Sequence, residues 1–210
     1  MSNSFSFGVV SDNVLANQGY ILLSVDNRAA TAISKKLENL LLHRYIGEVE
    51  LNDYADAARW MKNQPYVDPE RLGITGWSNG GSITLLMMTR SKEFRAGIAG
   101  AGVTDFRFYD TKWGEAAMKT EKDNLKGYEE NSLLKFAKDL NGKLLIVHGT
   151  HDDNVHIQNS WRFINELIKA NKLFELMVYP VRGHGVGDPA GSRHLRSVTF
   201  GFWERNLKRD

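Results

Sequence analysis

Gly76-Trp77-Ser78-Asn79-Gly80-Gly81 decides how this chain is read. The stretch spells Gly-x-Ser-x-Gly, with a short apolar run from Arg71 to Thr75 before it and a helix-like run from Ser82 to Met88 after it. Strand, sharp turn and helix in that order describe a nucleophile elbow. Glycines beside the serine let the backbone bend tightly enough to lift a hydroxyl clear of a sheet. Ser78 is therefore the candidate nucleophile.

Outward from the elbow, apolar runs of strand length alternate with segments of helical periodicity. Upstream, Tyr20 to Val25 is a continuous apolar run that suits a strand covered on both faces of a parallel sheet. Ala32 to Arg44 and Glu48 to Asn63 carry helical spacing, separated by Gly47, and the second stops before Pro65. Downstream, Arg95 to Val103, Lys143 to His148 and Phe174 to Val181 read as strands. Asn131 or Ser132 caps a helix running to Asp139, and Glu121 to Tyr128 reads as polar surface. Ile157 to Asn171 is expected to be a helix with Trp161, Ile164, Leu167 and Ile168 on its apolar stripe. Asp188-Pro189 or Ser192 opens a terminal helix with Leu195, Val198, Phe202 and Trp203 inward. The alternation predicts one α/β domain over residues 1–210, a mostly parallel sheet of about five strands with helices on both faces. Residues 1–17 form an ill-defined arm.

Composition narrows the chemistry. The chain has 210 residues with 27 Lys and Arg against 25 Asp and Glu, and like charges do not cluster, so neither nucleic acid nor a membrane surface is expected as a partner. Cysteine is absent, which excludes disulfides, thiolate metal sites and a cysteine nucleophile. Neither a signal-peptide pattern nor an apolar run of transmembrane length is visible, and the expectation is a soluble chain.

A serine hydroxyl attacks well only when a positioned base takes its proton, and the base needs a third group to orient it. Ser78, Asp152 or Asp153, and His184 follow the order serine, acid, histidine, each just past a predicted strand end. In a parallel sheet those ends share one edge. His148, His151 and His156 lie close together but lack the i, i+4 helical face of a zinc site, so neither a metal nor another cofactor is expected. Phe106, Phe108, Tyr109 and Trp113 concentrate after a strand end, where open α/β sheets bind ligands.

Three stretches together, Gly76 to Gly81, His148-Gly-Thr-His-Asp-Asp-Asn-Val-His156 and Gly183-His184-Gly185, resemble the catalytic domain of the prolyl oligopeptidase family of serine peptidases. The dipeptidyl peptidase IV branch is the most similar. Its second motif differs only at His151, and the similarity, including Asp26-Asn27-Arg28 and Gly47 to Asp53, runs from about Leu15 to the C-terminus. The resemblance implies an α/β-hydrolase fold with Asp152 as the triad acid and the Asn79 N–H as oxyanion donor. It also implies that Asn154 binds a substrate carbonyl, and that Val103, Phe106, Tyr109, Trp113 and Val155 line a small apolar pocket for proline or alanine. The substrate class would be a small peptide or ester.

Departures from the family are as informative. Its members carry a β-propeller before this domain. They also carry upstream strands, one of which lies between the counterparts of Tyr20–Val25 and the elbow strand and leads to an oxyanion tyrosine. Only 19 residues precede Tyr20, with no tyrosine among them, so the domain reads as N-terminally truncated. Three readings follow: a serine peptidase or esterase, a small-acyl carboxylesterase, and a catalytically impaired piece that serves as a folding or interaction unit. An uncovered apolar strand edge invites association, and a homodimer through that edge is expected.

Overall fold

A computed structural model describes residues 9–29 and 34–208. Four parallel strands form one sheet in the order β1 (Gly73–Trp77), β2 (Ala96–Gly100), β3 (Lys143–Gly149), β4 (Glu175–Tyr179). Around them run helices α1 (Val9–Asn17), α2 (Lys35–Glu38), α3 (Glu48–Lys62), α4 (Asn79–Arg90), α5 (Thr111–Met118), α6 (Leu125–Asn131), α7 (Gln158–Lys169) and α8 (Pro189–Leu207). Short 3-10 turns occupy Phe106–Phe108 and Leu133–Asp139.

The sheet is covered on both faces, which explains why the strands are apolar without alternation. β2 is buried throughout and β3 from its second residue on, whereas β1 and β4 are partly open, as edges are. Along β2 and β3 the pleat sends Ala99, Leu144 and Ile146 to one face, where they join Leu86, Met87, Met88 and Phe163. Ala96, Ile98, Leu145 and Val147 point the other way, onto Phe202, Trp203 and Leu207 of α8. Helix α4 is buried all the way from Gly81 to Thr89 and packs on β1 and β2 directly behind the elbow. Its buried Ser82, Thr84 and Thr89 hydroxyls donate to carbonyls one turn back, so the helix can be covered on every side.

Several expectations give way to the structure. Tyr20 to Val25 is not a strand: it runs without regular structure, and Ile21, Leu22 and Leu23 stand 50 %, 46 % and 49 % exposed. A hollow of about 570 Å³ separates it from β1, lined by Tyr20 to Val25 on one side and Gly73 to Thr75 on the other. The described sheet therefore has four strands rather than five, with β1 at its edge. Full burial stabilises such a side chain by roughly 1.5–3 kcal/mol, and these three forgo about half of it. Arg28 holds the end of the segment by pairing with Asp53 of α3 through Nε at 2.8 Å and through its backbone N–H at 2.8 Å.

Other differences are local. The helix expected from Ala32 contracts to α2, with residues 30–33 outside the described residues. The polar stretch 121–128 contains the start of α6 and buries Tyr128. On α7 the buried stripe is Ser160, Phe163, Ile164 and Leu167, while Trp161 and Ile168 are 43 % and 64 % exposed. The buried stripe runs one residue earlier at both ends, with Ser160 inward rather than Trp161 and Leu167 rather than Ile168. The N-terminal arm resolves into α1, with residues 1–8 outside the described residues.

Candidate active site

Ser78 turns the chain from β1 into α4 at φ 58°, ψ −119°, a conformation costly for a residue with a Cβ. Two hydrogen bonds hold it there. Its N–H donates to Gly100 O at 2.9 Å, and its carbonyl accepts from Ser82 N–H at 3.1 Å. The turn is tight because two neighbours lack side chains. A Cβ on Gly76 would lie 2.3 Å from the backbone of Gly80, and one on Gly81 would lie 2.2 Å from Gly100 O, whereas one on Gly80 would meet open space. The last glycine of the Gly-x-Ser-x-Gly pattern is thus the one the geometry does not need. We expect Gly76→Ala and Gly81→Ala each to cost about 1–3 kcal/mol or more, as overpacking against backbone does. Gly80→Ala, inside a helix, should hold or raise stability by up to about 1 kcal/mol. Urea midpoints of the three variants check the ranking.

Asp152 and His184 converge from two loops that are tied together. His151 N–H donates to Arg182 O at 2.9 Å, Thr150 N–H to Tyr179 O at 3.0 Å, and Val181 N–H to Thr150 Oγ1 at 2.8 Å. His184 Nδ1 then lies 2.8 Å from Asp152 Oδ2. Asp152 is buried, while Asp153 is exposed and makes no part of this contact. The other carboxylate oxygen, Oδ1, accepts the N–H groups of Asn154 at 3.0 Å and Val155 at 2.8 Å, which fixes the plane of the carboxylate. From the far side Trp77 Nε1–H donates to His184 O at 2.6 Å, linking the elbow strand directly to the histidine loop. That loop is staked at its end by Asp188, which caps α8 through Gly191 N–H at 2.9 Å and pairs with Arg182 Nε at 2.8 Å. The Arg182 guanidinium, with the Gly191 N–H, holds the Asp188 carboxyl down to about 2.

Beside Ser78 and Asn79 lies a cavity of about 220 Å³ walled by Ile46, Val103, Phe106, Tyr109 and Trp113. Phe106 and Trp113 stack at 6.0 Å between ring centroids, and Tyr109 meets Trp113 edge-on at 5.6 Å. Tyr109 OH donates to Asn154 Oδ1 at 3.0 Å, so Asn154 stands at the rim beside the acid loop. Val155 does not belong to the wall. Its side chain is fully buried in the core, and its part is played by the backbone N–H that binds Asp152. Alternation along the loop explains the difference, since Asn154 faces out and Val155 in.

No motif in the sequence marks Ile46 as part of this wall. It sits at φ 60°, rare for a β-branched residue, because the buried Glu50 carboxylate accepts the N–H groups of Ile46 at 2.9 Å and Gly47 at 3.1 Å. Burial pushes the Glu50 carboxyl up, against the pull of those two bonds.

The family model described as the prolyl oligopeptidase family matches residues 5–210. The chain belongs to the prolyl oligopeptidase family. Dipeptidyl peptidase 8 of Mus musculus is 33 % identical over 201 residues, covering 93 % of this chain and 22 % of that protein. A probable dipeptidyl-aminopeptidase B of Grosmannia clavigera is 37 % identical over 177 residues, 82 % of this chain and 18 % of that one. In three dimensions the chain matches Porphyromonas gingivalis dipeptidyl peptidase 4 with a TM-score of 0.91 and 38 % identity, over 97 % of this chain and 28 % of that one. It also matches an acylaminoacyl peptidase in complex with Z-Gly-Gly-Phe-chloromethyl ketone, with a TM-score of 0.78 and 25 % identity over 88 % of this chain and 32 % of that one. This member of the prolyl oligopeptidase family has the α/β-hydrolase fold. It spans about a fifth of the length of the curated relatives it matches.

Proposed function

We propose that this prolyl oligopeptidase family chain is a serine hydrolase that cleaves acyl bonds through Ser78, His184 and Asp152. The observation that carries the reading is the 2.8 Å contact of His184 Nδ1 with Asp152 Oδ2 at the sheet edge where the Ser78 elbow turns. An aspartate there holds imidazole with the proton on Nδ1 and leaves Nε2 free to act as base. Ser78 Oγ attacks the acyl carbon and its proton passes to His184 Nε2. The carbonyl oxygen gains the negative charge, which the Asn79 N–H at the start of α4 stabilises. His184 returns the proton to the leaving group as the bond breaks, and water repeats the sequence to free Ser78. The aromatic cavity next to Ser78 is small and apolar, which suits a short side chain such as alanine or proline on the acyl side. To Asn154, whose Oδ1 accepts from Tyr109 OH, we assign a hydrogen bond from its amide N–H to a substrate carbonyl.

Two of the matched relatives are named as dipeptidyl peptidases, and the substrate class we assign is a short peptide or ester. We assign one oxyanion donor in this chain, and one donor is worth on the order of a hundred- to a thousandfold in rate. Esters, whose leaving groups need less help, should therefore be cleaved faster than amides. Purified protein mixed with p-nitrophenyl acetate should show a burst of p-nitrophenol from acylation, with slower turnover of Ala-Pro-nitroanilide. Absence of any burst from folded protein would favour a catalytically impaired folding or interaction unit.

A further inference from the structure

Behind the Asp152–His184 pair lies a second histidine that the reaction as described does not use. His148, at the end of β3, is wholly buried. Its Nε2 is 2.8 Å from Val155 O and 3.1 Å from Asp152 Oδ2, and its Nδ1 is 2.7 Å from Ser160 Oγ on α7. The partners decide where the proton sits. A carbonyl and a carboxylate oxygen can only accept, so Nε2 carries the hydrogen and shares it between them. With one proton on the ring, Nδ1 accepts from the Ser160 hydroxyl. Burial pushes the His148 pKa down, against the pull of Val155 O and Asp152, and this favours the neutral ring that the hydrogen bonds require. Asp152 and His184 are the titratable groups that face it.

Asp152 is thereby surrounded. Oδ1 takes two backbone N–H groups, and Oδ2 takes His184 on one side and His148 on the other. We propose that His148, held as its Nε2–H tautomer by Ser160, is a positioning residue that pins Oδ2 of Asp152 in line with His184 Nδ1. Ser160, His148, Asp152 and His184 form one chain of hydrogen bonds running from α7 to the reacting edge. This role rests on the hydrolase reading given above. A buried, satisfied histidine serving packing alone would look the same in a stability measurement, so the test needs another readout.

Nitrogen-15 shifts of histidine-labelled protein should show the His148 proton on Nε2. His148→Phe keeps a planar ring but removes the donor, and Ser78 labelling by a fluorophosphonate should slow about tenfold to a hundredfold, the scale of a small misplacement of a reacting group. His148→Gln, whose amide N–H stands where Nε2–H stood, should recover most of that loss. With p-nitrophenyl acetate the fall should appear in kcat, with KM unmoved. Ser160→Ala is a milder change that frees the ring to turn, and it should slow labelling several-fold in a protein that folds even if His148→Phe does not. Unchanged labelling in folded His148→Phe or Ser160→Ala overturns the role, as does a proton found on Nδ1. If wild-type protein is not labelled at all, the hydrolase reading falls, and the tautomer alone decides the hydrogen-bond chain.

Discussion

Ser78→Ala should abolish fluorophosphonate labelling and lower p-nitrophenyl acetate turnover by at least about a thousandfold, since members of such a triad act as a unit. The fold should survive. Serine already carries a Cβ at φ 58°, so alanine adds no backbone strain, and the bonds that set the turn run through the main-chain N–H and C=O of residue 78. Thermal unfolding of the variant should therefore match wild type within a few degrees, about what a surface-scale change of 0.5 kcal/mol produces. Loss of turnover together with loss of folding would leave the chemistry unassigned to the hydroxyl, and normal turnover by folded Ser78→Ala sinks the mechanism. The wild-type rate should also fall on acidification, because a protonated His184 cannot take a proton from Ser78.

Asp152→Asn should lower kcat by about four orders of magnitude, the scale seen when a triad acid becomes an amide. The geometry explains why so small a change acts so strongly. Oδ2 lies between two imidazole N–H donors, His184 Nδ1 and His148 Nε2, and an amide N–H2 in its place would set donor against donor. Turning the amide over moves the clash to Oδ1, which accepts the backbone N–H groups of Asn154 and Val155. Each orientation leaves buried donors unpaired, at roughly 1–3 kcal/mol apiece. The alternative is for His184 to move its proton to Nε2, which leaves it unable to serve as base. A nitrogen-15 measurement of the His184 tautomer, beside kcat, separates this outcome from simple unfolding. A variant with near wild-type kcat would remove Asp152 from the reaction.

The fold and the sharp turn at Ser78 were legible because their signals are local. A Gly-x-Ser-x-Gly turn bounded by a strand and a helix states its geometry within a dozen residues, and Asp152 and His184 follow strand ends that a parallel sheet must align. Tyr20 to Val25 misled for the opposite reason. An apolar run shows that a segment can be buried, but pairing depends on what stands beside it, and here a hollow lies between it and β1. The resemblance implies a pocket position for Val155, although only the turn around Asp152 decides which way each side chain faces. Ile46 and the Ser160–His148 pair depend on contacts from distant segments, the first shaped by Glu50 and the second joining β3 to α7. Periodicity carries no trace of either.

The crowding at Gly76 and Gly81 divides this site into a part that can drift and a part that cannot. Nearly any side chain at those two positions strikes backbone, and backbone does not give way as a side chain does. Phe106 stacks on Trp113 and Tyr109 meets Trp113 edge-on, side chain against side chain, and Ile46 would shed strain on becoming asparagine or glycine. New acyl preferences should therefore arise in the wall while the elbow stays fixed. A mutant library built to change what this chain accepts should spare residues 76–82 and randomise positions 46, 106, 109 and 113.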